Sequence, residues 1–132
     1  MKALIPVAGA GIRLRPHTYT QPKPLMPVAG KPIIRLIVDN LREAGITEFV
    51  FVIGYLGEKI RDYIQATYPD LDTEFVYQEK REGSAHAIAT AGELIEEDDE
   101  ICIAFGDTVF MADLRELLSC PHSCVGVKRV ND

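Results

Sequence analysis

Hydrophobic positions follow two alternating rhythms along the chain. Compact, β-branched apolar runs at Lys2 to Val7, Glu48 to Ile53, Thr73 to Tyr77 and Ile101 to Phe105 predict strands, the continuous ones buried on both faces. Between them, apolar residues recur three and four apart. Ile33, Leu36, Ile37, Leu41 and Ala44 predict one face of a helix with Pro32 in its first turn and Gly45 at its end. Ile60 and Ile64 mark a second helix over Glu58 to Thr67, ended by Pro69, and Ser84 to Ile95 predicts a third. A short helix near Asp113 to Leu118 and a last strand near Cys124 to Val130 complete the pattern. Strand and helix in strict alternation predict parallel pairing through right-handed crossovers.

The fold class expected is therefore α/β, a Rossmann-like open, mainly parallel sheet flanked by helices, whose ligands sit beyond the carboxyl ends of the strands. The stretch "VAGAGIRLRPHTYTQPKPL", residues 7 to 25, leaves the first strand at that end. Its glycines let backbone N–H groups approach a ligand closely, and Arg13, Arg15 and Lys23 supply positive charge, so an anion is the expected occupant.

Composition narrows the anion to a small one. The 132 residues, 47% hydrophobic and 26% charged, predict one globular domain over residues 1–132, and the formal net charge of −6 argues against nucleic acid or an anionic membrane as partners. No apolar run approaches membrane-spanning length and the first residues are too short for a signal peptide, so a cytoplasmic protein is expected. Three cysteines, an odd number, fit free thiols in a reducing compartment.

Phosphate-loop patterns compete for the glycine stretch. The dinucleotide fingerprint matches Gly9 and Gly11, but Leu14 stands where the third glycine belongs, and Gly54 and Tyr55 follow the second strand where an acidic residue is required. The P-loop fails outright, because Pro32 follows Gly30 and Lys31 and Leu25 holds the early glycine position.

A third pattern agrees. Gly9, Gly11, Arg13, Leu14, Pro16 and Thr18, then Pro22, Lys23, Pro24, Leu25, Pro27, Val28, Lys31 and Pro32, resemble the signature of the sugar-1-phosphate nucleotidyltransferases, or nucleotide-sugar pyrophosphorylases, with glucose-1-phosphate thymidylyltransferase and uridylyltransferase types the nearest. "QEKREGSAHAI" resembles the family's base-recognition stretch and "FGDTVF" its metal-binding Gly-Asp, so the resemblance runs along nearly the whole chain.

That resemblance implies attack of a sugar 1-phosphate on the α-phosphorus of UTP or dTTP, with pyrophosphate leaving. Both reactants are polyanions, so positioning and charge neutralisation would carry the catalysis. Arg13 offers a fork of donors suited to the β- and γ-phosphates and Lys23 a compact charge suited to the α-phosphate. Ala8, Gly9 and Gly11 would cradle the nucleotide, Asp107 would hold Mg2+, and the Gln78 amide, able to donate and accept, would read the uracil or thymine edge beside the Gly83 backbone; a flipped amide matches cytosine as well, and it is the resemblance that favours UTP or dTTP.

Other candidate groups carry blander expectations. His86 reads as a helix-surface or packing histidine, "CPHSC" from Cys120 to Cys124 lacks a fourth zinc ligand, and "EEDDE" from Glu96 to Glu100 reads as a solvated turn. The sequence departs from the family pattern at Ile12 and Ser84, where threonine is commoner. It stops at "VKRVND", where family members continue through the sugar site and a second metal-binding aspartate, so a fragment truncated at its C-terminus is expected, with a catalytically silent nucleotide-sensing domain as the alternative. Which sugar phosphate is used, and whether the protein forms a homo-oligomer, is left open by the sequence.

Overall fold

A computed structural model describes residues 1–131. The chain runs β1 (Lys2–Pro6), β2 (Pro27–Val28), β3 (Lys31–Pro32), α1 (Ile33–Glu43), β4 (Glu48–Ile53), α2 (Gly57–Thr67), β5 (Asp72–Tyr77), α3 (Ser84–Thr90), β6 (Ile101–Ile103) and α4 (Arg115–Leu118). The main sheet is four-stranded in the order β5-β4-β1-β6, and every pairing in it is parallel. Successive strands move outward from β1 to β4 and β5, whereas β6 returns to the opposite side of β1. The strand order thus reverses between β1 and β6, and a crevice opens there at the carboxyl ends.

The apolar runs of the central strands β1 and β4 need no alternation because both faces of the sheet are covered there. On one face Ala3, Ile5, Phe49, Phe51 and Ile53 pack with Ile34, Ile37 and Leu41 of α1 and Ile60 and Ile64 of α2. On the other, Leu4, Val50 and Val52 meet Ala87 and Ala91. Leu41 is fully buried, so its truncation to alanine costs about 2–5 kcal/mol. The apolar stripe of α1 is broader than its spacing predicts: Ile34 and Val38 are buried while Leu36 is only half-buried, because the sheet and the loop around Leu25 both press on the helix.

Several elements differ from expectation. Pro32 lies outside α1, as its N-cap, and belongs to a two-stranded hairpin with no apolar rhythm to announce it. Its turn places Ala29 and Gly30 at φ 50° and 78°, the positive values a tight hairpin needs. The helix expected over Ser84 to Ile95 ends at Thr90 and tightens to a 3-10 turn at Ala91–Leu94, where Thr90 Oγ1 donates back to the His86 carbonyl and Gly92 follows. Regular pairing of β6 stops at Ile103, yet Ala104 and Gly106 go on donating to Leu4 and Pro6 of β1. Asp113 sits ahead of α4, its Oδ1 accepting the Arg115 N–H at 3.0 Å. The strand expected near Cys124 to Val130 does not form: Val125, Val127 and Val130 are exposed and pair with no neighbour among the described residues. The outer edge of β6 is also uncovered, and Ile101, Ile103 and Phe105 along it are exposed.

Among the described residues no helix is long and apolar enough to cross a membrane.

Candidate active site

The glycine-rich loop is shaped before any ligand enters. Val7 donates to the Val52 carbonyl at 2.8 Å and so extends the sheet by one residue before the chain turns away. Gly11 adopts a left-handed conformation (φ 59°), and a Cβ there would lie 2.8 Å from Thr18 Cγ2, so only glycine fits. Thr18 is buried and its hydroxyl donates to the Gly11 carbonyl at 2.8 Å, tying the two halves of the loop together. Farther along, Tyr55 Oη and Lys59 Nζ donate to the Tyr19 and Thr20 carbonyls, pinning the loop to the corner between β4 and α2. Lys23 stands between buried Pro22 and Pro24, which fix the direction its side chain leaves the backbone.

On the other side of β1, Gly106 brings the end of β6 against the loop. A Cβ on Gly106 would sit 2.2 Å from Val7 Cγ1 and 3.0 Å from the Pro6 carbonyl, so glycine is required for the two strand ends to close together. This close approach delivers Asp107. Its Oδ2 lies 3.3 Å from Lys23 Nζ across 84 residues of sequence, and its Oδ1 accepts from Thr108 Oγ1 at 3.1 Å. Burial alone would raise the Asp107 carboxyl, but the hydrogen bond and charge of Lys23, with the Thr108 hydroxyl, outweigh it and hold the acid below its ordinary value.

Between these parts lies an open cleft of about 340 Å³. Ala8, Gly9, Gly11, Lys23, Gln78, Gly83 and Asp107 all line it, so the structure gathers every expected site residue except Arg13. Arg13 is exposed on the 3-10 turn Ile12–Leu14 and pairs with no carboxylate among the described residues. Arg15 instead stacks over the Tyr19 ring at 5.0 Å. A Cβ on Gly9 would meet nothing within 4 Å, so no internal packing demands glycine there. The space it leaves belongs to the cleft.

The stretch expected to recognise the base holds the main surprise. Gln78 is buried, 8% exposed, and its backbone N–H extends the β5 pairing by donating to the Ile53 carbonyl. Its Nε2 donates to the Gly83 carbonyl at 3.2 Å and lies 2.8 Å from His86 Nδ1. The amide expected to donate and accept therefore has its donor end spoken for, and Oε1 alone is left for a ligand. His86, read from the sequence as a surface or packing residue, is a partner of the site. Arg81 also lines the cleft, its guanidinium 5.6 Å from the centre of the Tyr55 ring; its charge was visible in the sequence, but nothing in the local pattern gave it a role.

Among the described residues no three His, Cys, Asp or Glu side chains gather as a metal cluster, and Cys102, Cys120 and Cys124 are free thiols.

Comparison with known proteins agrees with this architecture. The chain is 37% identical over 132 residues to the bifunctional protein GlmU of Methanococcus vannielii, covering all of this chain and 30% of that protein. It is 35% identical over 118 residues to the UTP–glucose-1-phosphate uridylyltransferase AglF of Haloferax volcanii, covering 89% of this chain and 48% of that one. A solved UDP-glucose pyrophosphorylase complexed with UDP-glucose superposes with a TM-score of 0.79 at 28% identity, over 89% of this chain and 51% of its own. The chain thus spans from about a third to half the length of these relatives. The nucleotidyl transferase family model matches residues 2–122, from the first strand through the glycine loop and Asp107 to α4, and the chain belongs to that family.

Proposed function

We propose that the cleft binds UTP or dTTP and that, in the complete protein, it transfers the nucleoside monophosphate to a sugar 1-phosphate. One observation carries the reading: Lys23 and Asp107, far apart in sequence, meet at 3.3 Å beside the glycine loop at the point where the strand order reverses. A cation and a carboxylate side by side suit a ligand that brings both phosphate charge and a divalent ion. The activities of the uridylyltransferase and pyrophosphorylase relatives support the same substrate classes.

In the reaction proposed, an oxygen of the sugar phosphate forms a bond to the α-phosphorus. The bond from that phosphorus to the bridging oxygen of the β-phosphate breaks, and its electron pair leaves with pyrophosphate. Lys23 neutralises charge on the α-phosphate, and Arg13, free on its exposed turn, reaches the β- and γ-phosphates. Backbone N–H groups near Gly9 and Gly11 hold the phosphates in line. Gln78 and Gly83 receive the base.

Asp107 fits Mg2+, which commonly takes one or two protein carboxylates and completes its shell with phosphate oxygens and water. It is a hard oxygen donor with a side chain 56% exposed, already ionised and facing the cleft. When bound, the ion would neutralise phosphate charge that Lys23 alone leaves unmatched.

The site of action we propose is the cytoplasm, which the free thiols support. The test is pyrophosphate release by the full-length protein with UTP or dTTP and a panel of sugar 1-phosphates. Release that depends on both substrates and on Mg2+ is the expected result. A protein that binds the triphosphate but releases no pyrophosphate with any sugar phosphate would be a nucleotide sensor instead.

A further inference from the structure

His86 and Gln78 face each other in a way that the hydrogen-bonding inventory decides. The Gly83 carbonyl can only accept, so the Gln78 atom 3.2 Å from it is the amide nitrogen, and Oε1 points elsewhere. That nitrogen is also 2.8 Å from His86 Nδ1. Two donors cannot face each other, so Nδ1 carries a lone pair and the imidazole proton sits on Nε2, on the side of Glu82 Oε2 at 3.6 Å. Both Gln78 amide hydrogens are then committed, one to Gly83 and one to His86. The side chain that remains is a pure acceptor.

We infer that His86 is a positioning residue that sets base specificity by locking the Gln78 amide with only its carbonyl oxygen free for the ligand. The inference rests on the reading of Gln78 as the base-contacting group. An acceptor in a buried setting demands an N–H from the base. Placed opposite N3, that acceptor is answered by the N3–H of uracil or thymine and opposed by the N3 lone pair of cytosine, whose 4-amino donor lies at the neighbouring position. An unlocked amide could rotate and present its NH2 group to cytosine, so without the lock the site would lose discrimination among pyrimidines. The neighbours of the lock are few: α3 supplies His86, the turn before it Glu82 and Gly83, and the end of β5 Gln78.

The experiment compares the chain with His86→Phe, which keeps a flat ring but offers no acceptor, and His86→Gln, which restores one. In the free chain, 15N spectra of His86 are expected to show the Nε2-protonated tautomer, and His86→Phe to move the Gln78 side-chain amide resonances. UTP and CTP are then titrated into all three proteins and into Gln78→Ala. UTP preference is expected to fall by about fivefold or more in His86→Phe, the scale of one hydrogen bond, and to recover in His86→Gln. A proton on Nδ1, or undiminished preference in His86→Phe while Gln78→Ala loses it, overturns the lock and leaves the base assignment standing. If the unaltered chain binds UTP no better than CTP, the base assignment falls and the lock with it.

Discussion

Lys23 Nζ and Asp107 Oδ2 stand 3.3 Å apart at the mouth of the cleft, each the other's partner before any substrate arrives. The pair makes the acid easier to ionise: against the burial that would raise it, Lys23, helped by the Thr108 hydroxyl, holds the Asp107 carboxyl below its ordinary 3.8. A depressed carboxylate stabilises the fold above its ordinary value and loses that contribution as pH falls through the lowered one. Lys23→Ala should therefore raise the Asp107 pKa, and a 13C titration of the Asp107 carboxyl in both proteins measures it. An unchanged titration would mean that the two side chains do not pair in solution.

The same charge would serve the proposed chemistry. In a form of the protein that shows the proposed activity, Lys23→Ala or Arg13→Ala should lower turnover by about 10² to 10³, the scale of removing one preorganised donor to developing charge. Steady-state rates with UTP and the accepted sugar phosphate check this, and a loss below about threefold for both would remove the loop from the phosphate site.

Asp107→Asn keeps the shape of the side chain and removes the charge. Because the residue is exposed and packs against nothing in the core, the fold should survive while Mg2+-dependent activity collapses. Circular dichroism and a Mg2+ titration of the rate separate the outcomes. Ordinary Mg2+ dependence in folded Asp107→Asn would refute the assignment.

Two glycines separate structural from ligand-directed space. Gly106→Ala drives a Cβ to 2.2 Å from Val7 Cγ1 and should cost about 1–3 kcal/mol in denaturant unfolding. Gly9→Ala meets nothing within 4 Å, so stability should hold and nucleotide affinity should fall. Equal stability losses in both variants would show that the Gly9 space is filled by protein.

Much of this was legible in the sequence, for reasons that the particular elements make plain. Glu48–Ile53 matches the expected bounds because a strand covered on both faces is apolar without a break, here from Phe49 to Ile53. The Pro27–Val28 and Lys31–Pro32 hairpin escaped because two-residue strands carry no period, although Ala29-Gly30 supplied the turn. Val125 and Val127 alternate as a strand would and Val130 extends the β-branched run, but composition cannot supply a neighbour to pair with. Of the residues that line the cleft, ordered motifs singled out Gly9, Gly11, Lys23, Gln78 and Asp107, since each sits in or beside a loop whose composition marks it. The contacts were not legible. That Lys23 would meet Asp107, and that His86 would take up the Gln78 donor, depends on how β6 and α3 return to the β1 loop, which no local pattern records.

This one cleft is expected to receive a pyrimidine nucleoside triphosphate. The most direct test is a 1H–15N titration of the chain with UTP and Mg2+. Shifts confined to the loop from Ala8 to Lys23, the Gln78 to Ser84 stretch and Gly106–Asp107, reproduced by dTTP and weakened by Lys23→Ala, are the predicted result. Shifts clustered elsewhere on the sheet, or identical saturation in Lys23→Ala, would contradict it.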